Sequence, residues 1–260
     1  MLDRTRLVVL KIPCLKLLAC GVAIWAVTTT TQAQNLQRTT SPALNLDSAF
    51  TPVAARYVVT VVSPPSAKTH EKPKTHTWYF YREAQRIALL KGNVDEIWYR
   101  DGQQRISFER VFHEDERVVD YSTGELQTLR VIVNWAELST FVHPDELRHL
   151  KLKSKHGAGN TTLLQLSGVV GQDRLAIDWL PELQLPKRIT RQDKNGFKVR
   201  MELVESAALA PHTWPRPGAK SADYLHLDAA DFGDMSYDPV VRKSEALDVR
   251  LGWRAAHAHE

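Results

Sequence analysis

The chain of 260 residues carries 34 Lys and Arg against 30 Asp and Glu, a formal charge of +4, with 43% hydrophobic residues. Four of the bases and one of the acids fall within residues 1–33, so the remainder is nearly balanced at +1, which argues against nucleic acid as the main partner. Both cysteines, Cys14 and Cys20, lie in the same stretch, leaving the rest without a disulfide, a thiolate metal ligand or a cysteine nucleophile.

Residues 1–33 have the layout of a secretory signal: Arg4, Arg6, Lys11 and Lys16, an apolar run from Leu17 to Val27, then Thr31 and Ala33 as the small residues before a cut. Cleavage after Ala33 and a periplasmic location are expected. The run is too short to cross a bilayer, so no stable membrane anchor is expected after cleavage. Lipidation of Cys20, after Leu17-Leu18-Ala19, is the second reading. Residues 34–54 are polar and without period, a loose lead-in.

From Ala55 the chain shows short runs of β-branched and aromatic residues between turn formers. The expected strands are 56–63, 77–82, 86–91, 94–100, 105–113 and 118–121, with Asp101-Gly102 a hairpin signal between the fourth and fifth. Helices are expected from Asn134, as the N-cap of WAELSTFV, and from Pro144, at the first turn of HPDELRHL. Further strands are expected at 150–155, 161–167, 174–179, 184–191 and 197–204. Phe197, Val199, Met201 and Leu203 alternate with Lys198, Arg200 and Glu202, and Leu175, Ile177 and Trp179 with Ala176 and Asp178, so the sheet has one apolar and one wet face. The predicted class is α+β: a large curved antiparallel sheet, unclosed and half-barrel-like, with helices over its concave face. Residues 55–206 form this domain, and 207–260 read as a Pro-containing linker and a C-terminal helical extension, with Asp238 capping the helix-like VVRKSEALDVRLGW.

The segments WYFYREAQRI, IWYRDGQQRIS and LAIDWLPELQLPKRIT followed by FKVRMELV resemble the periplasmic lipoprotein-carrier superfamily, the LolA/LolB-like and RseB-like fold. In that pattern a strand ends in an Asp- or Trp-containing loop and a Leu-Pro pair opens the next, here Asp178-Trp179-Leu180 and Leu185-Pro186. The resemblance spans residues 55–205. It implies an unclosed barrel whose apolar interior accepts acyl chains. It implies no individual ligand-contacting residue here.

No Gly-rich phosphate loop and no Gly-x-Ser-x-Gly elbow is present. His143 and His149 stand six apart, unlike the four-apart pair of zinc-binding helices, and read as surface residues. The expectation is a non-enzymatic binding protein, a carrier or sensor for a lipid or acylated lipoprotein, with no cofactor. Its cavity would be lined by Trp78, Phe80, Leu175, Ile177, Trp179, Phe197, Val199, Met201 and Leu203. For Trp78–Tyr81, aromatic on both faces, the plainer reading is a central strand covered on each side. The alternative is a metal-associated envelope protein using His226, Asp228, Asp231 and Asp234, although their spacing matches neither a calcium loop nor a standard zinc site.

Overall fold

A computed structural model of the chain describes residues 50–64 and 72–255; the signal segment 1–33 and most of the lead-in lie outside them. The first half is a meander of β1 (Val53–Val62), β2 (Lys74–Arg82), β3 (Arg86–Leu90), β4 (Val94–Arg100), β5 (Ile106–Phe112) and β6 (Arg117–Tyr121). Three short helices follow, α1 (Thr123–Thr128), α2 (Trp135–Thr140) and α3 (Pro144–His149). The second half is β7 (Lys151–His156), β8 (Leu163–Val170), β9 (Asp173–Leu180), β10 (Leu185–Gln192) and β11 (Lys198–Ala207), and β12 (Leu225–Asp228) and α4 (Pro239–Leu251) come last.

Among the described residues twelve strands make one sheet in the order β12-β6-β5-β4-β3-β2-β1-β11-β10-β9-β8-β7, not closed on itself and parallel only where β12 meets β6. The two meanders join through β1 and β11, whose register sets Val59 against Met201 and Tyr57 against Leu203. Shifts of register at Arg56/Tyr57, Pro186/Arg188 and Leu152/Ser154 interrupt the ladders, the devices by which long strands bend. The class is α+β, as the alternation implied.

The helices share one face of the sheet, here the inner face, where Leu126, Trp135, Leu147, Val240, Val241 and Leu247 join the main core. Their ends follow from local chemistry. Asn134 accepts from the Glu137 amide at 3.1 Å, His143 Nδ1 accepts from the Asp145 amide at 3.1 Å, and Asp238 accepts from the Val240 amide at 2.7 Å. Each cap satisfies an amide that the first turn leaves without a partner.

Beyond β11 the chain wraps around the sheet. Residues 210–224 cross the outer face, where Trp214 is buried edge-to-face against Tyr79 and the Tyr81 hydroxyl donates to the Pro215 carbonyl. β12 then pairs along the β6 edge, and α4 returns to the inner face. The Pro-containing run does not extend the sheet, as its composition implied, but it covers it. The described part of 207–260 therefore contributes a strand, a helix and apolar residues to both cores. β2 is packed on both faces only at its end, Phe80–Arg82; Trp78 and Tyr79 are half-buried and Lys74–Thr77 exposed.

Candidate functional site

Cross-strand register builds the site. On the inner face Tyr57 stands between Leu203 of β11 and Trp78 of β2, and Phe80 faces Leu89 of β3, which in turn faces Glu96 of β4. These two neighbouring rows bring Leu203, Trp78 and Leu89 into one patch, with Val94 at the start of β4 beside it. All four are half-buried; Tyr57, Phe80, Val59 and Met201 beside them are packed, and His76, which faces Val59 in the next row, is exposed. On one side Phe141, which ends α2 in a left-handed conformation (φ 64°), packs on Tyr57 and Phe80 at centroid distances of 5.2 and 4.5 Å. On the other side α4 is clamped to β5. The patch is thus the part of the inner face left between two helical covers.

A charged row runs beside it. Lys91 Nζ lies 2.7 Å from Glu96 Oε2 and over the Trp78 ring at 5.4 Å from its centroid. Burial opposes ionisation of Glu96, but the Lys91 ammonium and, more weakly, Arg110 hold its carboxyl below the usual range. Glu96 faces Arg110 across β4 and β5. Arg110, fully buried, bonds Asp248 Oδ1 at 2.9 Å, Ser244 Oγ at 2.6 Å and the Tyr121 hydroxyl at 3.0 Å, among the rings of Phe108, Tyr121 and Trp253. This network fixes one cover.

The other cover is fixed by Arg191 of β10. Its Nη2 bonds both carboxylate oxygens of Glu146 on α3 at 2.8 Å, and Nη1 lies 3.3 Å from Asp173. Glu137 of α2 sits beside this pair, and burial, reinforced by the Glu146 charge and opposed by Arg191, pushes its carboxyl up to about 7. Arg82 ties the strands to the same cover through the carbonyls of Thr51, Ser139, Leu183 and Gln184.

The nine residues expected to line a cavity fall into two groups. Phe80, Leu175, Ile177, Trp179, Val199 and Met201 are 1–7% exposed, packed within the main core. Trp78, Phe197 and Leu203 are the half-buried ones, and Trp78 and Leu203 belong to the patch. Leu89, Lys91, Val94 and Glu96 went unrecognised, because only the cross-strand register places them beside Trp78.

The four residues of the metal reading are not brought together. His226 Nδ1 is 2.6 Å from Asp120 Oδ2, Asp228 accepts from the Ala230 amide at 2.9 Å to cap a short 3-10 turn, and Asp231 and Asp234 lie exposed in and after that turn. Among the described residues no group of three His, Cys, Asp or Glu is placed to hold a metal ion. His143 and His149 serve α3 locally, the latter through the Asp145 carbonyl at 2.6 Å.

No family model matches the chain, and no curated protein does. Among solved structures it is similar to PNGF-II (10% identity, TM-score 0.39, covering 72% of this chain and 33% of that one), so it spans about a third of that protein's length. It is also similar to a chain of the Pseudomonas aeruginosa MucA/MucB complex (12%, 0.30, 67% and 64%). A third is a domain from Vibrio parahaemolyticus described as outer membrane lipoprotein-sorting (6%, 0.29, 66% and 90%).

Proposed function

We propose that the protein is a non-enzymatic carrier or sensor that works in the bacterial periplasm and holds the apolar chain of a lipid or acylated lipoprotein on the inner face of its sheet. The observation that carries this reading is the patch of Leu203, Trp78, Leu89 and Val94, four half-buried apolar side chains beside the packed Tyr57 and Phe80 and between two covers. Apolar surface of this kind favours an apolar occupant at about 25 cal/mol per Å² removed from water. The Lys91–Glu96 pair at its margin is polar and suits the head of an amphiphile better than a wholly apolar molecule.

The test is a titration of the purified protein with a fluorescent fatty acid, wild type against Leu203→Arg. The reading expects saturable binding that the Arg side chain weakens at least tenfold. Equal binding by both proteins would place the probe elsewhere and remove the patch from the account.

A further inference from the structure

The two edges of the sheet are treated very differently. At one, the chain wraps residues 210–228 around β6 and ends the sheet with a strand of four residues. At the other, β7 is six residues long and exposed at every position but Ser154, and among the described residues its outer backbone groups meet no further strand. Such an edge is a template for pairing with another chain.

Its sequence is KLKSKH, preceded by the exposed Arg148 and His149, with no acid between Arg148 and His156. Arg148 is paired with Asp145, but Lys151, Lys153 and Lys155 make no ion pair among the described residues. The chain from residue 34 onward is nearly neutral, so this concentration of like charge is local. Lysines on an edge repel a second copy of the same edge. They equally select a strand of opposite charge, because charges arranged in complement across an interface favour the matching partner and reject the wrong one.

We propose that β7 is a docking edge for an acidic, extended protein segment, which adds to the sheet as a thirteenth strand. Backbone hydrogen bonds supply the contact on either side of the register shift between Leu152 and Ser154, which sets Lys151, facing Ser167, and Lys155, facing Leu164, on opposite faces, so that with Lys153 they select acidic side chains on both sides of the added segment. The site is separate from the inner-face patch and does not depend on what that patch holds.

The experiment uses a peptide of alternating Glu and Val, its Lys/Val counterpart, and phosphatidylglycerol vesicles, each titrated into the protein, with amide hydrogen exchange read along β7. The expected result is binding of the acidic peptide alone, weakened as salt rises, with slowed exchange within Lys151–His156. The triple variant Lys151→Glu, Lys153→Glu, Lys155→Glu should lose at least tenfold in affinity and take the Lys/Val peptide instead, a gain that a misfolded protein would not show. Binding of the acidic peptide without protection of β7 overturns the proposal. So does adsorption to the vesicles through the same lysines when the peptide fails to bind.

Discussion

Arg110 of β5 and Asp248 of α4 form an ion pair at 2.9 Å with both side chains wholly buried. The pair joins the first meander to the last helix of a chain whose intervening residues travel around the sheet. Within the described residues, Nε and Nη2 of Arg110 have no hydrogen-bond partner, and Asp248 is the carboxylate in direct contact with it, Glu96 acting from farther off. Asp248→Ala should therefore cost about 3–5 kcal/mol, since it breaks a buried pair by removing the carboxylate that Arg110 contacts. Urea unfolding measures this. A double change, Arg110→Met with Asp248→Leu, should recover most of the loss.

Truncation after Ala210 should abolish cooperative unfolding. The cut removes Trp214 from the outer face and β12, Phe232, Val240, Val241 and Leu247 from the inner core. Those side chains are worth about 1.5–3 kcal/mol each when fully buried, in sum comparable with a domain's usual margin. Calorimetry of the truncated chain decides. A sharp transition would show that residues 55–206 stand alone.

Glu137 should contribute a fall in stability as pH rises through the range from about 4.5 to 7. The carboxyl of Glu137 is held up to about 7 in the folded protein, above the 4.5 of an ordinary glutamate, so between the two the folded state binds more protons than the unfolded one. Its favourable contribution is present in acid and is lost as the pH passes 7. Glu137→Gln should flatten this slope and raise stability at pH 8 by on the order of 2 kcal/mol. Tm values at pH 5 and pH 8 for both proteins test it.

Two neighbouring substitutions should separate core from patch. Met201, 6% exposed, faces Val59, and its change to Ala should cost about 2–5 kcal/mol while leaving amphiphile affinity within twofold. Trp78→Ala should cost less stability and weaken amphiphile binding at least tenfold. Paired denaturation and binding curves check both.

Much of this architecture was legible in the chain. Alternation along 197–203 and 175–179 found two strands and their inner faces, and Asn134, Pro144 and Asp238 marked three helices through their caps. α1 was missed although its signal was present: Ser122 and Glu125 form a capping box, with Ser122 Oγ accepting from the Glu125 amide and Glu125 Oε2 from the Ser122 amide. β12 was missed for a different reason. Four residues with His226 and Asp228 at alternate positions carry too little apolar pattern, and their pairing with β6 depends on the strap that delivers them. The site was legible only in part, because Trp78 and Leu203 can be recognised as apolar strand residues, but their separation from the packed Met201 and Ile177 depends on where Phe141 and α4 come to rest.

The central claim is that the inner-face patch holds an apolar chain, and native mass spectrometry of protein purified from envelope extract without delipidation tests it most directly. The account predicts a co-purifying lipid or acylated peptide on the wild-type protein, displaced by added fatty acid and absent from the folded Leu203→Arg variant. A wild-type protein that carries no such species and takes up none when amphiphile is added would contradict it.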